Sequence, residues 1–424
     1  MGRIFGQRLR AQRISKGLTQ EELGGSECSH SYISLLERGA REPSSDIVLG
    51  LARRLGMAAE DLEQWMIQPT VQDQEYSLAA LHAWCAWDAR DYEMAAHHAL
   101  VAAQFARESH RDATVCEMNL LRAECLARLG RYEQGRNLVE MLLADGLVAS
   151  NVGLRSEVLQ LSARMALAQE EFHEAVAHAQ EGASGSAALP DDSMVRHAAC
   201  HLHIRALLSE GHKEAAWRGC EVASRSHSAG VPSHERGRLA WVMGDVAFAR
   251  GCPERGIEHH EQAARLLLPQ VDLEEWVAFN ISSARARLEA GIADEATRVC
   301  LDRAVAAQEV LGLGQENDRE FAFLDGLWMY TRRCYDQALE ALAVFTQHPR
   351  RMSRLSTEAL FLRGRIQLSL ALPQQALTDL ALAQEGYFRQ RDLRGAQTVA
   401  DLILEISRTR YEDAPPVLAH SAAS

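Results

Sequence analysis

A short bend signature recurs along most of this chain at a nearly constant spacing, and that recurrence limits the fold more than any other feature. RDYEMA ends at Ala95, GRYEQG at Gly135, EEFHEA at Ala175, EGHKEA at Ala215, GCPER at Arg255, GIADEA at Ala296, RCYDQA at Ala338 and LPQQA at Ala376, with intervals of 40, 40, 40, 40, 41, 42 and 38 residues. Twelve residues before each stand Ala83, Ala123, Ala163, His203, Met243, Ala284, Gly326 and Gly364, six of them small. Small side chains at both places let two helices approach closely, so each unit reads as a helical hairpin with the signature in its bend. One such hairpin cannot bury its apolar face alone, and successive hairpins must stack into a solenoid.

The rest of the sequence agrees with helices. Aromatics are only 6% and prolines number ten in 424 residues, while Ala, Leu, Glu and Arg abound; strands prefer β-branched and aromatic side chains. An all-α fold is therefore predicted. No apolar stretch approaches the roughly 18 residues that span a bilayer, and the start has no signal-peptide core, which predicts a cytoplasmic protein without a membrane partner. The nine cysteines are scattered with no C-x-x-C pair, so neither a zinc ribbon nor a disulfide framework is expected. HEAVAH, from His173 to His178, is one residue too long for the H-E-x-x-H zinc motif. His97, His98, His197, His201, His203, His259 and His260 read as surface residues, and no metal is expected. No Walker loop, nucleophile elbow, dinucleotide glycine pattern or kinase signature occurs, so neither catalysis nor a cofactor is expected.

The first 67 residues are different. The net charge is −13, yet this segment holds nine basic and nine acidic residues, with Arg3, Arg8, Arg10, Arg13 and Lys16 ahead of most of the acids. Ile4 to Lys16 has helical periodicity and stops at Gly17. Thr19 with Glu22 forms a capping box that opens a short second helix. A third segment runs from Ser29 to Gly39, and Ile47, Leu51, Leu55 and Leu62 mark one or two more helices before Trp65. Five short helices, the second and third joined by a tight glycine-containing turn, predict a helix-turn-helix whose third helix enters the major groove.

LTQEEL, SHSYISLLERGAREPS and LARRLGM resemble the lambda-repressor/Cro-like (Xre) helix-turn-helix family. That resemblance implies a DNA-binding set of Gln20, Ser29, His30, Ser31, Ser34, Arg38 and Arg41, and a buried Arg13–Glu37 pair joining helices one and three. Gln20 would fix the DNA backbone, His30, Ser31 and Ser34 would reach base edges, and Arg38 and Arg41 would meet phosphates. The ten steps from Leu23 to Ile33 are one fewer than in phage repressors and look like the peptide-pheromone receptor branch. The hairpins in turn resemble tetratricopeptide repeats, lengthened to about 40 residues. On their inner face the register places Trp84, Glu124, Arg164, Ile204, Gly244, Arg285, Leu327 and Arg365. Trp84, Glu124, Arg164, Arg285 and Arg365 are candidate ligand contacts. Asn119 and Asn280 join them, because inward asparagines grip the ligand backbone in the peptide-receptor family, although the same phase elsewhere reads as packing.

Head and repeats together resemble the peptide-sensing quorum-sensing (RRNPP-type) regulators. The implied organisation is a helix-turn-helix domain at 1–67, a linker at 68–75, a right-handed solenoid of about eight hairpins at 76–410 and a disordered tail at 411–424. The implied partners are a double-stranded DNA operator, a second copy of the chain in a homodimer, and a short peptide or protein ligand in the repeats. An alternative is a repeat scaffold that binds a partner protein, with the head localising it to DNA.

Overall fold

The computed structural model describes residues 2–66, 71–226, 231–311, 315–345 and 353–412. Part of the expected linker and nearly all of the expected tail lie outside these residues. The chain divides into two compact units, 1–150 and 151–424. Among the described residues there is no strand, and no helix is long and apolar enough to cross a membrane.

The first unit begins with α1 (Gly2–Ser15), α2 (Gln20–Gly24), α3 (His30–Glu37), α4 (Ser45–Leu55) and α5 (Ala59–Gln64). The expected capping box opens α2: Thr19 Oγ1 accepts from the Glu22 amide at 3.1 Å, and Glu22 Oε2 accepts from the Thr19 amide at 2.7 Å. These bonds hold the Glu22 carboxyl below its ordinary range. The glycines that close the helices serve as expected, Gly17 and Gly39 taking φ of 70° and 68° in the left-handed region. Phe5, Leu9, Leu23, Ile33, Leu36, Leu51 and Leu62 interlock in a single apolar core. At the α1–α3 crossing there is no room for a side chain: a Cβ on Gly6 would stand 2.3 Å from the Leu36 carbonyl oxygen.

The same unit continues with α6 (Val71–Asp88), α7 (Tyr92–Glu108), α8 (Asp112–Arg128), α9 (Tyr132–Leu143) and the short α10 (Gly146–Ser150). Ala79, Ala83, Ala95, Ala99 and Ala102 build its second core. A core of alanines is what closely approaching helices require, since larger side chains would hold the backbones apart.

The second unit pairs α11 (Val152–Ala168) with α12 (Phe172–Ser186), α13 (Met194–Ser209) with α14 (Lys213–Ser226), and α15 (Ser233–Ala249) with α16 (Pro253–Leu266). Next come α17 (Leu273–Glu289) with α18 (Glu295–Leu311), and α19 (Gln315–Thr331) with α20 (Tyr335–Ala341), which a 3₁₀ turn (Leu342–Phe345) extends. The last pair is α21 (Arg354–Ser369) with α22 (Pro373–Arg389), and α23 (Leu393–Glu412) closes the unit. Each helix packs on its sequence neighbour, and the first helix of each pair also packs on the first helix of the next, from α11 through α21. Stacked helical hairpins are thus the observed architecture.

The bends share one conformation whatever residue occupies them. Gly130, Gly211, Gly251 and Gly291 take positive φ, as do Arg90, Glu170, Arg333 and Ala371 at φ of 60°, 61°, 61° and 57°. Hairpin geometry therefore overrides the cost of the left-handed region for a residue bearing a Cβ, about 1–2 kcal/mol.

The repeat register differs from the sequence reading in one respect. The buried residue one turn into the second helix is Ala95, Gly135, Ala175, Ala216, Gly256, Thr297, Ala338 and Ala376. Ala215, Arg255 and Ala296, expected there, lie one residue early and are half-buried, exposed and exposed. In the first helices, Ile204 and Gly244 correspondingly take the close-packed places assigned to His203 and Met243. Ile204 fits because Gly219 faces it, where a Cβ would stand 2.8 Å from Ile204 Cγ1. Gly244 admits His260, whose Cδ2 would be 2.0 Å from an added Cβ.

Candidate nucleic-acid interface and ligand face

The third helix of the head is anchored from beneath by one ionic hub. Arg13 Nε and Nη2 donate to the two carboxylate oxygens of Glu37 at 2.5 and 3.1 Å, and Arg13 Nη1 donates to the Leu18 carbonyl at 2.8 Å. Gln20 Nε2 adds a third donor to Glu37 at 2.8 Å. The side chains of Arg13 and Glu37 are 12% and 4% exposed, so the pair is nearly dry. Burial alone would raise the Glu37 carboxyl, but bonds from Arg13 and Gln20 and the guanidinium charge outweigh it and leave it below the ordinary range. The hub ties α1, the first turn, α2 and α3 together, and it engages the Gln20 amide that was expected to meet the DNA backbone.

With Ile33, Leu36 and Glu37 sealed inward, the opposite side of α3 presents His30 and Ser31, both exposed, and half-buried Ser34. Ser31 Oγ lies 3.3 Å from His30 Nδ1. Ser29 caps the helix, its hydroxyl accepting from the Tyr32 amide at 3.2 Å. Arg38 and Arg41 are exposed just past the helix, Arg38 Nε donating to the Ser34 carbonyl at 3.2 Å. Tyr32 Oη donates to the Glu42 carbonyl at 3.2 Å and fixes the loop that carries Arg41. The result is a row of small hydrogen-bonding side chains followed by two cations. Such a row suits base edges in the major groove, and the cations suit phosphates.

On the repeats, Trp84 is 41% exposed, Glu124 lies 4.0 Å from Arg128, and Arg164 is exposed. Asn119 and Asn280 are 5% and 1% exposed, and Asn280 Nδ2 donates to the Trp276 carbonyl at 2.7 Å, one turn back in its own helix. Both asparagines sit within the helix packing. The register slip puts Arg205 and Asp245, rather than Ile204 and Gly244, in line with Arg164. Sequence reasoning passed over these two, because the bend signature keeps its 40-residue spacing through Ala175, Ala215 and Arg255 while the buried position moves on by one to Ala216 and Gly256. Arg205 is exposed, with its guanidinium 5.3 Å from the centre of the Trp241 ring.

Arg285 is not a free cation. Its guanidinium donates to Glu289 at 2.9 Å, to Glu320 at 3.2 Å and to Glu358. The second partner of Glu358 is Arg354 Nε at 3.1 Å. Burial pushes the Glu320 carboxyl above its ordinary range despite Arg285, with the charges of Glu358 and Glu289 adding to the rise. This hub spans α17, α19 and α21 and forms one edge of a pocket of about 580 Å³. Phe323, Tyr330, Phe361, Tyr387 and Arg365 line it, with Glu289 and Glu358 on the hub side. The aromatic lining was not legible beforehand, because the rings come from two successive hairpins with no common spacing.

One catalytic-looking arrangement occurs in the second unit. Asp245 Oδ1 lies 3.1 Å from His260 Nε2, and His260 Nδ1 lies 3.1 Å from Ser283 Oγ. Ser283 is 2% exposed and His260 1%, so no substrate carbonyl reaches the hydroxyl. The trio joins α15, α16 and α17 as a buried polar tie. Among the described residues, no group of three or more His, Cys, Asp or Glu is arranged to hold a metal ion.

Residues 4–65 match the family described as helix-turn-helix domain, and the anchored third helix with its polar outer row has the form that class implies. The chain is also similar to the crystal structure of Bacillus thuringiensis PlcR in complex with the peptide PapR7 and DNA, at 17% identity and a TM-score of 0.42, over 66% of this chain and 98% of that one. A second similarity is to a Rap protein complexed with competence and sporulation factor, at 11% identity and a TM-score of 0.37, over 96% of this chain and 99% of the other. At TM-scores this low neither similarity bears on what this chain binds. No curated protein matches the chain.

Proposed function

We propose that this chain is a sequence-specific DNA-binding transcription regulator whose repeats sense an effector, a short signalling peptide being the leading class. It acts as a homodimer in the cytoplasm, one head per half-site, because a single small head buries little surface on DNA. The observation that carries the reading is the polar row of His30, Ser31 and Ser34 on a helix pinned from beneath by Arg13 and Glu37. The head positions α3 on phosphates through Arg38 and Arg41 and reads bases with the row. An effector that prefers one arrangement of the repeats by about 1–3 kcal/mol changes operator occupancy.

Replacing His30, Ser31 and Ser34 together by Ala tests this. The variant is expected to keep the wild-type circular dichroism spectrum and its binding to random duplex at low salt. It is expected to lose at least tenfold in preference for an operator recovered with the wild-type chain. Undiminished preference would refute the placing of α3 in the groove.

A further inference from the structure

We infer that the pocket bounded by α17, α19, α21 and α22 binds an apolar organic carboxylate, with Arg365 holding the acid group and Phe323, Tyr330, Phe361 and Tyr387 enclosing the body. This deepens the effector-sensing reading and rests on it.

The charges around the pocket set the sign of the ligand. Both acids in the wall are engaged: with Glu320 of the same hub, Glu289 and Glu358 share the guanidiniums of Arg285 and Arg354, three carboxylates against two cations. Arg365 and Arg333, which also line the pocket, have no carboxylate partner among the described residues. Counted together, the four guanidiniums outnumber the three carboxylates by one positive charge, and an amine would meet Arg365 and Arg333 while finding the acids engaged.

The placing of Arg365 sets the chemistry further. Its guanidinium lies 5.0 Å from the centre of the Tyr330 ring and 5.8 Å from that of Phe361. Ring contact leaves the N–H donors of this exposed guanidinium uncommitted, so they remain open to an incoming anion. A planar fork held this way matches a carboxylate through two parallel bonds. Phe323, Leu327, Tyr330, Phe361, Leu362 and Tyr387 supply the apolar part of the wall, which gives a ligand with its acid at one end rings and aliphatic carbons for its body to lie against. A volume of about 580 Å³ falls in the range of roughly 300–1,000 Å³ typical of small-molecule sites. Because the walls include Glu289 and Glu358, the occupant adjoins the carboxylates that knit α17 to α21, and binding there bears directly on how three hairpins pack.

Two sources supply this chemistry, the C-terminal residue of a peptide and a free aryl or fatty acid. The test titrates the full chain by calorimetry with the dipeptide Leu-Phe, its C-terminal amide, 3-phenylpropionate and decanoate. The free acids are expected to bind at least tenfold more tightly than the amide. Tighter binding of Leu-Phe than of 3-phenylpropionate and decanoate assigns the site to peptide ends, and the reverse assigns it to free acids. Arg365→Gln is expected to erase the difference between acid and amide, Arg365→Lys to restore part of it, and Leu327→Trp to fill the pocket and weaken every probe. Equal affinity for acid and amide overturns the assignment, as does unchanged binding by Arg365→Gln or no binding of any probe by the wild type. If the probes fail while cell extract still alters operator binding, the pocket's ligand class is wrong and effector sensing survives. If the probes bind as expected while the chain ignores DNA, the regulator reading falls instead.

Discussion

Glu37→Ala is expected to unfold the helix-turn-helix head and to abolish DNA binding at every salt concentration. The substitution leaves the Arg13 guanidinium, only 12% exposed, without its anion and removes the acceptor of Gln20. Breaking a buried pair from one side costs about 3–5 kcal/mol. A domain of this size has only about 3–9 kcal/mol in total at the usual stability per residue, so the loss takes most or all of it. Hydrogen exchange provides the measurement: amides of Leu23, Ile33 and Leu36 should lose protection while those of α11 to α22 keep theirs. Replacing both partners, Arg13→Met with Glu37→Leu, should restore much of the stability, because no charge is then stranded. Full protection in Glu37→Ala would show that the hub contributes little and that the apolar core alone holds the head.

Arg285→Met is the corresponding test of the repeats. Without the guanidinium, Glu320 loses the cation it shares with Glu358 and faces that carboxylate across α19 and α21, Glu358 alone keeping Arg354. Both are only partly buried, so the cost is set below the range for a dry pair, at about 2 kcal/mol near neutral pH. The pH dependence separates this from simple loss of packing. The Glu320 carboxyl titrates above its ordinary value of 4.5 even with Arg285 present. A carboxyl raised on folding favours the folded state when protonated, and that contribution disappears as pH rises through its folded value. The melting temperature of Arg285→Met should therefore lie furthest below wild type at pH 7 and draw closer as pH falls towards 4.5. Adding Glu320→Gln should recover stability at pH 7. A deficit independent of pH would assign the effect instead to the lost guanidinium, which lies 5.2 Å from the centre of the Phe323 ring.

Much of the architecture was legible because it rests on local chemistry. Gly17, Thr19, Glu22 and Gly39 act where they stand in the chain, so helix ends and the capping box could be placed directly. The hairpin repeat was equally plain, since its bend needs only a short string. Register was harder. Ile204 is large where a small residue was sought, and the space it needs is supplied by Gly219 on the next helix, a compensation that only contact reveals. The slip moved the expected face by one residue and hid Arg205 and Asp245. Long-range electrostatics were the least readable part. Arg285 looked like a ligand-gripping cation until Glu320 and Glu358, separated from it by 35 and 73 residues, closed on it. Gln20, expected at the DNA backbone, spends its amide on Glu37 for the same reason.

The division of labour between head and repeats is tested most directly by selecting duplexes from a random pool with the purified full chain. The expected product is an inverted repeat whose half-sites lie about 10 base pairs apart, centre to centre, or a multiple of that. Selection with the His30, Ser31 and Ser34 triple Ala variant should leave the pool unenriched. A wild-type pool that stays random, or one in which the triple variant enriches the same sequence, would contradict the claim that α3 reads DNA.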